Sequence, residues 1–217
     1  MRNRKFRCGK SMMAGVLAAA LSMAGVLSVP VMADELPEDY PLAENIEDAP
    51  VYGDIQDFAS TTLDGEIFDQ DSLKDYDLTV IDFWADWCGP CVRNMPNLAE
   101  LYKKMPENVQ IVTYCADGSQ EKIMQIMDEA GYEGITIIRS EGDLADVVSQ
   151  LLGYPTTIFF DSEGRQVGTA MLGAPEDDYE STYIEEINTI LEAMGKDTIG
   201  AEAETESDTE VQTEAEK

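Results

Sequence analysis

The chain has 217 residues, enough for one domain or two, with 44% apolar residues, which suffices for a globular core. It holds 14 Lys and Arg against 44 Asp and Glu, a formal charge of −30, which argues against nucleic acid, because phosphate binding needs clustered cations. Histidine is absent, which excludes Ser-His-Asp triads, Cys-His pairs, His-ligated metals and a His pH switch.

The chain opens with Arg2, Arg4, Lys5, Arg7 and Lys10, with no acid before Asp34. Met12 to Val29 is nearly all small or apolar, and Val31-Met32-Ala33 is a small-residue cleavage pattern. A basic start, an apolar run and such an end predict an export signal over 1–33, with a mature chain starting at Asp34. The run is also long enough for an uncleaved anchor. Export puts the rest in an extracytoplasmic compartment where disulfides persist. Residues 34–50, with three prolines and seven acids, read as a spacer. Residues 197–217 alternate Glu with Thr, Ala and Ser and read as a disordered acidic tail.

Between these, 51–196 reads as one α/β domain. Leu78–Trp84, Val109–Cys115, Ile135–Ile138 and Thr156–Phe160 are continuous apolar runs, which suit strands buried on both faces of a mostly parallel sheet. Ile123, Met124, Ile126, Met127 and Ala130 predict a helix stopped by Gly131. Leu144, Val147, Val148, Leu151 and Leu152 predict a helix ended by Gly153. Asp161–Gly164 is a turn between the last two strands, an antiparallel hairpin. The final helix runs from Pro175-Glu176-Asp177-Asp178 to Gly195, with Tyr183, Ile184, Ile187, Ile190, Leu191 and Met194 on one face. The expected architecture is three-layer α/β/α with a central mixed sheet.

The chemistry is carried by Trp87-Cys88-Gly89-Pro90-Cys91. A C-x-x-C that follows a buried strand and opens a helix places Cys88 at the helix N-terminus, where free amides and the dipole lower a thiol pKa. The thiolate attacks disulfides, and Cys91, one turn on, is positioned to resolve the product. Gly89 permits the tight turn, and Pro90 has no amide hydrogen to leave unsatisfied at a helix start. Half a zinc site is a second use of such a pair. It needs four ligands, and here there is no histidine and no second C-x-x-C. An inert structural disulfide is a third use, disfavoured by the position between strand and helix after Trp87. No metal is expected, and the eleven methionines are not read as a copper site. Asp82, amid Val80, Ile81, Phe83 and Trp84, is either a buried acid with a raised pKa or a strand-end acid reaching water. Trp84 reads as packing, and Trp87 as part of an apolar rim that receives substrate.

The run from Asp82 to Cys91 resembles the active site of the thioredoxin superfamily. Leu63-Asp64-Gly65, Phe83-Trp84-Ala85, Arg93, Pro96 and the helix-rich insert before Gly153-Tyr154-Pro155-Thr156 resemble more closely the exported TlpA/ResA-like branch of thiol–disulfide oxidoreductases. The resemblance implies the thioredoxin-like fold and makes Pro155 a cis-proline opposite the dithiol, the alternative being an ordinary trans-proline opening a strand. It also implies that the Tyr154 backbone pairs with an extended substrate. Pro96 becomes the proline that kinks the active-site helix, and Asp82 the acceptor of the Cys91 proton. Where the branch often has Glu, this chain has Asn94, and Asp82 is expected to substitute. Cys115, ending a strand, either exchanges with the dithiol or is a buried inert thiol.

The expected activity is reduction of disulfides in exported proteins, apocytochrome c among the family's substrates. No bound cofactor is expected beyond the Cys88–Cys91 pair, with electrons drawn from a membrane thiol relay. The rivals are an oxidase or isomerase of the same fold, a peroxidase, for which no P-x-x-x-T-x-x-C pattern surrounds Cys88, and a non-catalytic peptide-binding module.

Overall fold

A computed structural model describes residues 36–37, 40–175 and 177–200. The expected export segment 1–33 and the tail from 201 onward lie outside the described residues. In chain order the strands are β1 (Phe58–Thr62), β2 (Ile67–Asp69), β3 (Leu78–Trp84), β4 (Val109–Cys115), β5 (Ile135–Gly142), β6 (Thr156–Asp161) and β7 (Gln166–Leu172). The α-helices are α1 (Gly89–Tyr102), α2 (Gln120–Ala130), α3 (Asp143–Gln150) and α4 (Tyr179–Ala193).

The strands form one mixed sheet in the order β2-β1-β5-β4-β3-β6-β7. β3, β4 and β6 are buried at every position, as their continuous apolar runs require. β3 and β4 run parallel in the register Leu78↔Val109 to Trp84↔Cys115. β6 returns antiparallel beside β3 and pairs Asp82 with Thr157. Alternation along β3 divides the core. Val80 and Trp84 face the cluster with Met95 and Leu98 of α1, Ile123 and Met127 of α2, and Tyr183 and Ile187 of α4. Ile81 and Phe83 face the opposite cluster with Leu144 and Val147 of α3 and with Tyr52 and Ile55. Helices thus cover both faces, giving the expected three layers.

Several bounds differ from the sequence reading. β1 and β2 were not expected; they extend the sheet antiparallel from β5, whose polar second half Arg139–Gly142 pairs with β1. That half-exposed edge lacks the apolar run that marks the central strands. The helix expected to end at Gly153 stops at Gln150, because Leu151 turns extended (φ −61°, ψ 130°), and Leu152 projects into solvent. α2 ends as expected, with Gly131 left-handed (φ 70°). α4 starts at Tyr179, after Asp178.

The segment expected as a spacer over 34–50 is, from Tyr40, packed against the domain. Asp161, fully buried at the end of β6, organises this contact. Its Oδ1 accepts the Glu163 and Arg165 amides at 2.9 Å each, which closes the hairpin turn. Its Oδ2 accepts Arg165 Nε at 2.6 Å and Tyr40 OH at 2.7 Å. The Arg165 guanidinium also lies 5.1 Å above the Tyr40 ring. Gly164 (φ 77°) completes the turn, and a Cβ there would sit 2.5 Å from the Ile55 carbonyl oxygen. Leu42 bridges Val167, and the Gln166 side chain joins the Pro50 carbonyl to the Tyr52 amide. Charge on this segment is therefore no bar to docking, because the Tyr40 hydroxyl meets a buried acceptor and Leu42 bridges Val167. Tyr40→Phe is expected to destabilise the domain by about 2 kcal/mol, the scale of a hydrogen bond to a charged group. Urea unfolding of the two proteins measures it, and equal midpoints at equal slope would contradict it.

The far end also stays attached beyond 196. Ile199 N donates to Asn188 Oδ1 at 2.8 Å, and Lys196 pairs with Asp77 at 2.7 Å. The docked chain therefore runs to Ile199, three residues into the stretch expected as a tail.

Candidate active site

β3 ends at Trp84 and α1 begins at Gly89, so the intervening turn delivers Cys88 to the N-cap of α1. Cys88 is extended (φ −77°, ψ 97°), and its Sγ accepts the Cys91 amide at 3.3 Å. Pro90 occupies the first turn, where no amide hydrogen is needed. Cys88 and Cys91 are joined in a disulfide with Sγ–Sγ 1.97 Å and Cα–Cα 5.3 Å. Cys88 is 5% exposed and Cys91 3%, against 62% for Trp87. The exposed Trp87 thus flanks a dithiol that is itself nearly covered. Gly89 leaves room for Arg93, whose guanidinium would lie 3.2 Å from a Cβ there. Pro96 lies inside α1.

The strand after α3 brings a second segment to the dithiol. The Tyr154–Pro155 peptide bond is cis, and the Tyr154 carbonyl oxygen lies 3.5 Å from Cys88 Sγ. The Trp87 and Tyr154 rings meet edge to face at 6.0 Å. Trp87 Nε1 donates to Asp117 Oδ2 at 2.9 Å, which ties the rim to the loop after β4. Nothing in the spacing of the sequence links Asp117 to Trp87.

Asp82 is buried beneath the dithiol, not at a wet strand end. Burial pushes its carboxyl up to about 7, opposed by a 2.9 Å hydrogen bond from Thr157 Oγ1. A small cavity lined by Asp82, Cys91, Asn94, Pro155, Tyr179 and Tyr183 joins the acid to the second cysteine. It leaves about 10 Å³ open to the centre of a water molecule, on the scale of one water. Thr157 and Tyr183 were not expected here as functional groups. Thr157 comes beside Asp82 only through the β3–β6 register, and Tyr183 only through the packing of α4, neither of which a sequence displays.

Cys115 is a free, buried thiol at the end of β4. It donates to the Asp117 carbonyl oxygen at 3.4 Å, and burial pushes its pKa up to about 12. It therefore stays protonated at neutral pH and is a poor nucleophile. Among the described residues, no group of three or more Cys, Asp or Glu side chains could hold a metal ion, and no helix is long and apolar enough to cross a membrane.

The family model for thioredoxin matches residues 59–150. The thioredoxin-like protein YneN of Bacillus subtilis is 30% identical over 113 residues, covering 50% of this chain and 64% of that protein. The thiol-disulfide oxidoreductase ResA of Oceanobacillus iheyensis is 30% identical over 113 residues, covering 50% of this chain and 58% of the relative. The chain thus spans less than two thirds of the length of these relatives. Among solved structures, MTB dsbF superposes with a TM-score of 0.53 at 20% identity, covering 65% of this chain and 98% of that one. A thioredoxin-family thiol:disulfide interchange protein from Chlorobium tepidum gives 0.53 at 19% identity, covering 65% and 95%. In the dithiol between β3 and α1, the mixed sheet covered on both faces and the model matched over residues 59–150, the chain is similar to the thioredoxin family.

Proposed function

We propose that the protein is an exported thiol–disulfide oxidoreductase that reduces disulfides of extracytoplasmic proteins. The observation that carries this reading is the Cys88–Cys91 pair at the N-terminus of α1, with a buried acid across a one-water cavity from Cys91. In the reduced protein, the Cys88 thiolate attacks one sulfur of a substrate disulfide. The substrate S–S bond breaks, a Cys88–substrate mixed disulfide forms, and one substrate thiolate leaves. The Cys91 proton passes to Asp82, through the cavity. The Cys91 thiolate then attacks Cys88 Sγ, the second substrate thiolate leaves, and both substrate sulfurs take up protons. Two electrons pass from the dithiol to the substrate, and no bound cofactor is required.

Trp87 and the Tyr154 ring supply an apolar rim, and the Tyr154–Pro155 backbone is the strand edge on which an extended substrate segment pairs. The basic, apolar start of the sequence supports export, and a membrane thiol relay is the donor that returns the pair to its dithiol form. The relatives named thiol-disulfide oxidoreductase support the reaction class. The test is turnover of insulin disulfides with dithiothreitol as donor. Catalytic amounts of the protein should accelerate reduction well above dithiothreitol alone. An unchanged rate would favour a module that only binds peptides.

A further inference from the structure

Among the described residues, no cation holds Asp82. The groups facing it are Cys91 and Asn94 of α1, Thr157 of β6, Tyr179 and Tyr183 of α4, and Tyr132 beyond α2. None of these is a cation. Its polar contact is instead a line of two hydroxyls: Thr157 Oγ1 lies 2.9 Å from Asp82 Oδ1 and 2.7 Å from Tyr183 OH. Thr157, Tyr183 and Asp82 are all buried, so water does not compete for these bonds. Tyr179 stacks on Tyr183 at 4.7 Å and lines both the inner cavity and the surface cleft between α1 and α4.

We propose that Thr157 and Tyr183 form a reversible hydroxyl line that keeps Asp82 hydrogen-bonded in both of its protonation states, making them positioning residues for the proton transfer from Cys91. This rests on the reading of Asp82 as the Cys91 proton acceptor. A hydroxyl carries one hydrogen and accepts at its oxygen. When Asp82 is a carboxylate, Thr157 donates to it and accepts from Tyr183. When Asp82 takes the Cys91 proton, the acid donates to Thr157, and Thr157 turns its hydrogen to the Tyr183 oxygen. In that state the Tyr183 hydrogen turns to the hydroxyl of the stacked Tyr179, which lines the surface cleft, so the carboxyl gains and gives up its proton without loss of its partner. The proton itself moves only between Cys91 and Asp82, across the cavity that both line. The hydroxyls change which way they point and exchange no covalent hydrogen with solvent.

The two positions act on opposite states, and this gives a test that packing alone does not reproduce. Thr157→Val removes the donor to the carboxylate, so the Asp82 pKa rises, by about one unit. Tyr183→Phe removes the acceptor that Thr157 needs when Asp82 is neutral, so the pKa falls, by about half a unit to one unit. The measurement is an NMR titration of the full chain in its dithiol form, with the Asp side-chain carboxyl carbons labelled and Asp82→Asn used to assign the Asp82 signal. Thr157→Ser keeps the hydroxyl and is expected to titrate as the parent does, which separates loss of the hydroxyl from loss of the fold. Shifts of opposite sign support the line. Shifts of one sign, no shifts, or a Thr157→Ser protein that titrates like Thr157→Val would overturn it. The titration reads the carboxyl whether or not the protein turns over disulfides, so a failed insulin assay would sink the proposed reaction and leave this result standing on its own.

Discussion

Cys88→Ser is expected to lower disulfide reduction by at least about 10³-fold, since removing an activated nucleophile removes the step that all the others follow. Cys91→Ser should behave differently. Its Cys88 is still at the N-cap of α1, with the Cys91 amide directed at its sulfur, so the first attack proceeds. Nothing then resolves the product, and the Cys88–substrate mixed disulfide accumulates as a covalent adduct. Non-reducing gel electrophoresis with mass spectrometry of the adduct checks both claims. An adduct through Cys91 in Cys88→Ser, equal in yield to that through Cys88, would reverse the assigned roles. The surroundings argue against that outcome, because Cys88 follows the exposed Trp87 and its sulfur lies 3.5 Å from the Tyr154 carbonyl oxygen.

Asp82→Asn is expected to stabilise the oxidised protein at high pH while slowing its chemistry. The folded pKa is about 7 against an ordinary 3.8, so the sign follows directly. The folded state resists ionisation, and stability is undiminished below about pH 4. It falls as pH rises through about 7, by up to about 4 kcal/mol once ionisation is complete. Asn carries no such cost. The variant should therefore gain stability over the parent at pH 8, and the gain should vanish near pH 4. Comparing the two proteins cancels the other acids of this strongly acidic chain. Urea unfolding at pH 4, 6 and 8 gives the difference, and a gain that does not change with pH would contradict a buried, proton-binding acid. In the same variant, resolution of the mixed disulfide should slow by about 10²-fold, at the low end of general base catalysis, with the first attack by Cys88 intact.

The elements legible in the sequence are those whose residues answer to one local rule. β3, β4 and β6 are buried on both faces, so they appear as unbroken apolar runs. Gly131 is legible as a stop because only a left-handed residue closes α2 there. Trp87 to Cys91 is legible because nucleophile, turn and helix start are adjacent in the chain. What stayed hidden depends on pairings across the fold. β1 has only Phe58 as a large apolar residue, and its partner strand is polar where they meet. Tyr40 belongs to the domain through Asp161, 121 residues away. Asp82 was visible as an acid out of place, but Thr157 comes beside it only through the β3–β6 register. Tyr183 reads as one more apolar face residue of α4 until its hydroxyl is located.

Equilibration of the purified protein across glutathione and dithiothreitol redox buffers asks whether Cys88 and Cys91 form a working two-electron couple. Alkylation of free thiols followed by mass spectrometry reads the fraction reduced at each poise, with Cys88→Ser as control. One reversible transition is expected at these two cysteines, absent from the control, with a potential near that of thioredoxin, about −270 mV. A potential near that of a strong disulfide donor, about −120 mV, would reverse the direction of electron flow. A pair that stays oxidised across the whole range would make the disulfide structural and contradict the account outright.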